Sequence, residues 1–310
     1  MTQEQYDSFM KLVSPGTEQE FGTVFHIYKD VMFKMIMNHD VTEATAVPEK
    51  EARLVLQMMF SKLANLERIV QGIEFNSSTG DVLKRVIDPI LISASIRGLF
   101  EAVGMFNIIY VAPQTDEARY IMHTLWVLAG LNYRQKFVSV TQSEEFIAKS
   151  KQEREHIIEL IAKIEATELY RGLTPGDKEK IQRAINGKHY NIKFVDGVVK
   201  GLGGFQELIN NAGIHELKMG QMYTYYSLSS HPSNVSVFQF GAMFSDDNTD
   251  TFDNVKFNLS NAFMLVSVFI VDYFKAFPAL LPTFKELSDM EQALIQHNNV
   301  FLRGQAYAIE

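Results

Sequence analysis

Arg97 and Glu101 are the only charged residues in the stretch from Pro89 to Val111. Four positions is about one helical turn, so the two side chains share a face. A guanidinium presents a planar fork of five donors that suits carboxylate or phosphate, and a carboxylate one turn on can orient it. Two readings follow. The pair is a clamp that fixes helix register, since removing one partner of a buried ion pair costs about 3–5 kcal/mol. Alternatively it is a site in which Arg97 binds an anion and Glu101 orients the guanidinium. Gly98 and Gly104 lie alongside and let another backbone or a ligand approach closely.

A second polar group lies far downstream. Tyr223, Ser227 and His231 are spaced by four and would stack along one helical face. His231 precedes Pro232, which disfavours helical backbone at the histidine, so the helix is expected to stop there. An imidazole can serve as acid or base near neutral pH, and Ser227 or Tyr223 can hold it or act as a nucleophile. The same placement also suits a histidine that satisfies loose carbonyls at a helix end.

The elements that must position these residues are helical. Thr17-Glu18-Gln19-Glu20 is a capping box opening a helix to about Asn38, with Phe21, Val24, Phe25, Tyr28, Met32, Met35 and Ile36 at helical spacing. Pro48 suits a first turn, and Arg53 to Val70 keeps the period. Asp88-Pro89 starts a helix to about Tyr110, and Ala118 to Tyr133 forms the next. Thr141-Gln142-Ser143-Glu144 reads as another capping box, opening a polar helix to about Thr167, and Thr174-Pro175 starts a shorter one. Further helices are expected over Gly203–Asn211, His215–His231 and Val255–Lys275, and after Ser288-Asp289-Met290-Glu291. Alternation suggests strands at His189–Val195 and Val235–Phe240, too few for a substantial sheet. The class is all-α: a large helical bundle with a polar, partly projecting middle segment. One helical domain over 1–310 is expected, with 143–200 as an inserted subdomain.

Composition narrows the function. Lys+Arg of 29 against Asp+Glu of 37 leaves −8, which argues against an extended nucleic-acid groove. The absence of cysteine removes disulfides, thiolate metal sites and thiol nucleophiles. With 46% hydrophobic residues the chain can bury a core. Pro89–Val111 and Asn261–Phe277 are apolar enough to invite a membrane reading, but charges inside each favour core helices. The stripe Phe263, Val266, Ile270 and Phe274 is expected in that core. The N-terminal residues carry neither a basic patch nor an apolar run, so a cytoplasmic protein without a membrane segment is expected.

Several motifs fail on chemistry. Glu153-x-x-His156 has no second copy with facing carboxylates, as a di-iron bundle needs. Asp246-Asp247-Asn248-Thr249-Asp250 lacks the glycine of a calcium loop and has Phe257 where its final Glu belongs. Gly201-Leu202-Gly203-Gly204 lacks the last glycine of a dinucleotide fingerprint and reads as a hinge. No metal and no cofactor are expected.

Ile96-Arg97-Gly98-Leu99-Phe100-Glu101, followed by Tyr223-Thr224-Tyr225-Tyr226-Ser227-Leu228-Ser229-Ser230-His231-Pro232, resembles an uncharacterised family of bacterial all-helical proteins. Its members carry an Arg-Leu-Phe-Glu type helix and a later Tyr/Ser/His segment. The resemblance brings no settled activity. It implies that Arg97, Glu101, Tyr223, Ser227 and His231 converge. Arg183 and His189 are similar to the paired Arg and His of the HEPN helical ribonuclease superfamily. Asn186-Gly187 interrupts the helix between them, and no polar residue follows Arg183, which departs from that pattern. Three functions therefore stay open. The first is a polar ligand or catalytic site, with Arg97 and Glu101 on a small anion and His231, Ser227 and Tyr223 as catalytic candidates. The second is a non-catalytic scaffold or sensor that binds a protein partner or a second copy of itself. The third is a HEPN-like ribonuclease or toxin-type protein.

Overall fold

The structure, a computed structural model, describes residues 2–39, 47–137, 143–242, 244 and 249–309. Helices α1 (Gln3–Val13), α2 (Glu18–Asn38) and α3 (Val47–Gln71) lead into a hairpin of β1 (Ile73–Asn76) and β2 (Val82–Val86), then α4 (Pro89–Phe106). A π-helical turn, Asn107–Val111, follows directly. Next come α5 (Asp116–Arg134), α6 (Glu144–Ala166), α7 (Glu168–Gly172) and α8 (Pro175–Gly187). A second hairpin, β3 (Ile192–Val195) with β4 (Val198–Gly201), precedes α9 (Phe205–Asn211). The chain ends with α10 (Glu216–Met219), α11 (Met222–Ser229), α12 (Asn234–Ala242), α13 (Thr249–Ala276), α14 (Leu281–Lys285) and α15 (Asp289–Arg303). The fold is all-α with two isolated antiparallel hairpins among the described residues.

Two compact units divide the chain: residues 1–106 with 213–310, and residues 107–212 between them. The second unit is wider than the polar segment 143–200, because the apolar α5 and the short α9 fall inside it. Its core is built on Ile121, Met122, Leu125 and Leu128 of α5, with Ile181 and Ala184 of α8. Asp196 and Gly197, both at positive φ, close the β3–β4 turn. That is the conformation a two-residue hairpin loop of this twist requires.

The first unit is organised around α13, which packs against α4 and α15. Phe263, Val266, Ile270 and Phe274 are all buried, as their spacing predicts. Of the two long apolar helical stretches, Phe252–Ala276 is mostly enclosed, and Pro89–Val111 carries most of its residues inside. Both have the burial of core helices. Buried Tyr28 on α2 ties three helices together: its hydroxyl lies 2.6 Å from Ser267 Oγ and accepts from Asn298 Nδ2 at 2.8 Å.

Burial pushes the Tyr28 phenol up to about 12 from 10.0, against the opposing pull of its two partners. The folded state then holds the proton at pH values where the unfolded chain has released it. Stability from this residue is complete below pH 10 and is lost as pH rises towards 12, a difference of about 2–3 kcal/mol. Urea melts at pH 9 and pH 11.5 should show a smaller alkaline loss in Tyr28→Phe than in the parent. Equal losses would contradict a neutral buried phenol.

Local chemistry explains most helix starts. Thr17 and Glu20 form the expected capping box, and Ser288 and Glu291 another. Asp88 Oδ1 accepts from Ile90 N and Leu91 N at the head of α4. Helix α6 is capped by Ser143, whose hydroxyl accepts from Phe146 N; Thr141 and Gln142 of the expected capping box lie outside the described residues. The acidic run 246–248 is also outside them. Two expectations need correction. Residues 215–231 form two helices, because Gln221 adopts left-handed backbone at φ 65° and interrupts the run. Residues 235–240 form α12 and not a strand: Ser233 Oγ accepts from Ser236 N at the helix start, and Val235, Val237 and Phe238 stay exposed. The first helix, opened by a Thr2/Gln5 capping box, and the β1–β2 hairpin were not anticipated.

Candidate functional site

Helix α4 carries Arg97 and Glu101 on one face, and α11 packs against α4 to bring Tyr223 over them. The α11 side is anchored by buried Tyr226, whose hydroxyl accepts from Asn261 Nδ2 at 3.0 Å. Burial raises the Tyr226 phenol well above its ordinary range despite that bond. One turn earlier, the Tyr223 ring lies 5.6 Å from that of Phe100 and 5.4 Å from the Arg97 guanidinium carbon. Helix α11 ends at Ser229, just ahead of the His231-Pro232 step, and this turns the histidine back towards α4.

The polar groups close into a ring. Arg97 Nε donates to Glu101 Oε1 at 2.9 Å, and Arg97 Nη2 donates to Tyr223 Oη at 3.2 Å. Tyr223 Oη in turn donates to Glu101 Oε1 at 3.1 Å. Arg97 Nη1 stands 3.3 Å from His231 Nε2. A guanidinium has no acceptor, so the contact is a hydrogen bond only in the tautomer whose Nε2 carries no proton. Partial burial works against the Arg97 charge, but the bonds to Glu101 and Tyr223 outweigh it and raise its pKa. The Arg97 and Glu101 side chains keep 28% and 33% of their surface, and His231 is exposed.

Four of the five residues singled out from the sequence thus meet. Ser227 does not join them. Its Oγ is buried without a hydrogen-bond partner among the described residues, so no base activates it as a nucleophile. The helix-end carbonyls expected for His231 go elsewhere: Ser230 Oγ donates to Ser227 O, and Ser233 Oγ donates to Leu228 O. The imidazole is left for Arg97.

A lysine on the neighbouring helix was missed. Lys62 of α3 lays its Nζ against Gly98, 2.8 Å from where a Cβ would stand. It has no carboxylate or hydrogen-bond partner among the described residues. Gly98 does admit a close neighbour, but that neighbour is a side chain from a helix 36 positions back, which no local spacing reveals.

The other motifs stay apart. Glu153 pairs with Arg134, and His156 faces Glu159 at 3.6 Å. Arg183 lies beside Glu179, while His189 Nδ1 accepts from Asn191 N. No group of three His, Asp or Glu side chains suited to a metal occurs among the described residues. No protein-family model, curated protein or solved structure matches the chain. Its chemistry rests on the geometry of these side chains.

Proposed function

We propose that the Arg97–Glu101–Tyr223–His231 cluster binds a small anion bearing a phosphate or carboxylate group, with His231 placed to exchange a proton with it. The donor count of the guanidinium carries this reading. Three N–H groups are used, on Glu101, Tyr223 and His231, which leaves two on the terminal nitrogens of a partly exposed side chain. Glu101 and Tyr223 hold the fork in one orientation, so a ligand meets it without further ordering. Lys62 of α3 lies against Gly98, the residue after Arg97, and Glu101 is the carboxylate within the hydrogen-bonded network. The local balance favours an anion in a chain whose net charge is −8.

Binding, and not covalent catalysis, is the stronger form of the proposal, because Ser227 lacks a base and the Tyr223 proton is engaged by Glu101. The competing reading is a clamp within a scaffold. The Arg97–Glu101 side chains are only partly buried, so losing one partner costs less than the about 3–5 kcal/mol of a fully buried pair, which weakens the case for register control as their main purpose.

Calorimetric titration with inorganic phosphate tests the proposal. Saturable binding is expected in the parent, at least about tenfold weaker in Arg97→Lys, which keeps the charge but loses the fork. His231→Ala should weaken it too, with unchanged circular dichroism in both variants. Gly98→Ala is expected to leave the helix at least as stable, since alanine gains about 1 kcal/mol in a helix interior. It should weaken phosphate binding by displacing Lys62. No saturable binding in the parent, or variants that unfold without any ligand effect, would favour the clamp.

A further inference from the structure

A groove of about 580 Å³ opens elsewhere in the same unit, between the last turns of α3, the β1–β2 hairpin, the head of α4 and the end of α12. Its walls are apolar, with Ile69, Leu83, Leu91, Phe240 and Phe244 among them. That volume falls within the range of small-molecule sites, roughly 300–1,000 Å³. Leu91 and Phe244 keep 51% and 57% of their surface, so the wall is open and not closed core.

One cation stands on this apolar surface. Arg68, in the last turn of α3, lines the groove and has no ion pair or hydrogen bond among the described residues. The carboxylate on the same wall, Asp88, is committed to the N-terminus of α4, where Oδ1 accepts from Ile90 N at 2.8 Å and Leu91 N at 3.2 Å. An apolar trough with one unpaired guanidinium matches a molecule with an alkyl chain and a single negative head. A doubly charged phosphate monoester suits it less, because Asp88 repels the second charge.

We infer that this groove binds a medium-chain fatty carboxylate, with the alkyl chain along Leu83, Leu91 and Phe240 and the head on Arg68. The inference stands apart from the anion cluster on α4 and α11 and shares none of its residues.

Calorimetry with hexanoate, octanoate and decanoate, each below its micelle concentration, tests it. Affinity should rise about fourfold for each added methylene. Arg68→Glu, at an exposed position, should weaken decanoate at least about tenfold and leave decanol unchanged. Leu91→Glu adds a charge at a half-open position in the first turn of α4, where helix geometry tolerates it, and should weaken both ligands. Circular dichroism confirms that each variant folds. No saturable decanoate binding overturns the inference. So does equal binding of decyltrimethylammonium, or association with lipid vesicles in place of monomeric ligand. Because the probe differs from phosphate and the residues differ, failure here is separable from failure of the α4–α11 site.

Discussion

Asp272→Ala is expected to lower the unfolding free energy by about 3–5 kcal/mol, the cost of breaking a buried ion pair from one side. Asp272 sits on α13 with its side chain 2% exposed, and the Arg303 guanidinium of α15 is fully enclosed. Arg303 Nη1 donates to Asp272 Oδ1 at 2.6 Å and Arg303 Nε to Asn299 Oδ1 at 2.8 Å. The guanidinium carbon lies 4.6 Å from the centroid of the Tyr307 ring. Removing the carboxylate strands a cation that cannot reach water. Replacing both partners, as Asp272→Leu with Arg303→Met, should recover most of the loss, because the desolvation cost disappears with the charges. Urea denaturation followed by circular dichroism is the suitable measurement, since the single Trp126 reports on the other unit. A loss below about 1 kcal/mol for Asp272→Ala would show that the pair does not hold α13 to α15.

Phe106→Ala should cost a similar amount, about 3–5 kcal/mol, for a different reason. The ring is fully buried at the end of α4, stacked on Tyr273 at 5.3 Å and tilted against Phe269 at 4.9 Å. Truncation leaves a cavity beside two rings of α13 that cannot collapse without moving the helix. Phe106→Leu, which refills most of the volume, should lose markedly less in the same urea experiment. Comparable losses for alanine and leucine would point to a specific ring contact and not to volume.

Much of this architecture is legible from local chemistry. Capping boxes and the Asp88-Pro89 pair mark helix starts because they satisfy exposed N–H groups within a few residues, and apolar spacing marks the buried face of α13. Convergence of Arg97 with His231 is implied by the family resemblance and by no local spacing, and the 3.3 Å contact joins them across 134 positions. What the sequence hides is non-local. The partner of Asp272 is Arg303 and not the nearby Lys275, and Lys62 reaches Gly98 only because α3 lies beside α4. The Val235–Phe240 alternation misleads because α12 leaves Val235, Val237 and Phe238 in solvent, where burial does not dictate the pattern. Ser227 shares the spacing of Tyr223 and His231, but the histidine lies beyond the end of α11 and follows no helical face.

Whether the α4–α11 ring receives an anion can be read directly at the imidazole. Inorganic phosphate should be titrated into protein carrying ¹⁵N-labelled histidine, and the His231 ring resonances followed by nuclear magnetic resonance. A saturable shift of Nε2 in the parent, abolished in Arg97→Lys, is the result expected if guanidinium and imidazole meet the ligand together. Ring resonances that ignore phosphate, or that shift alike with and without the arginine fork, would contradict it.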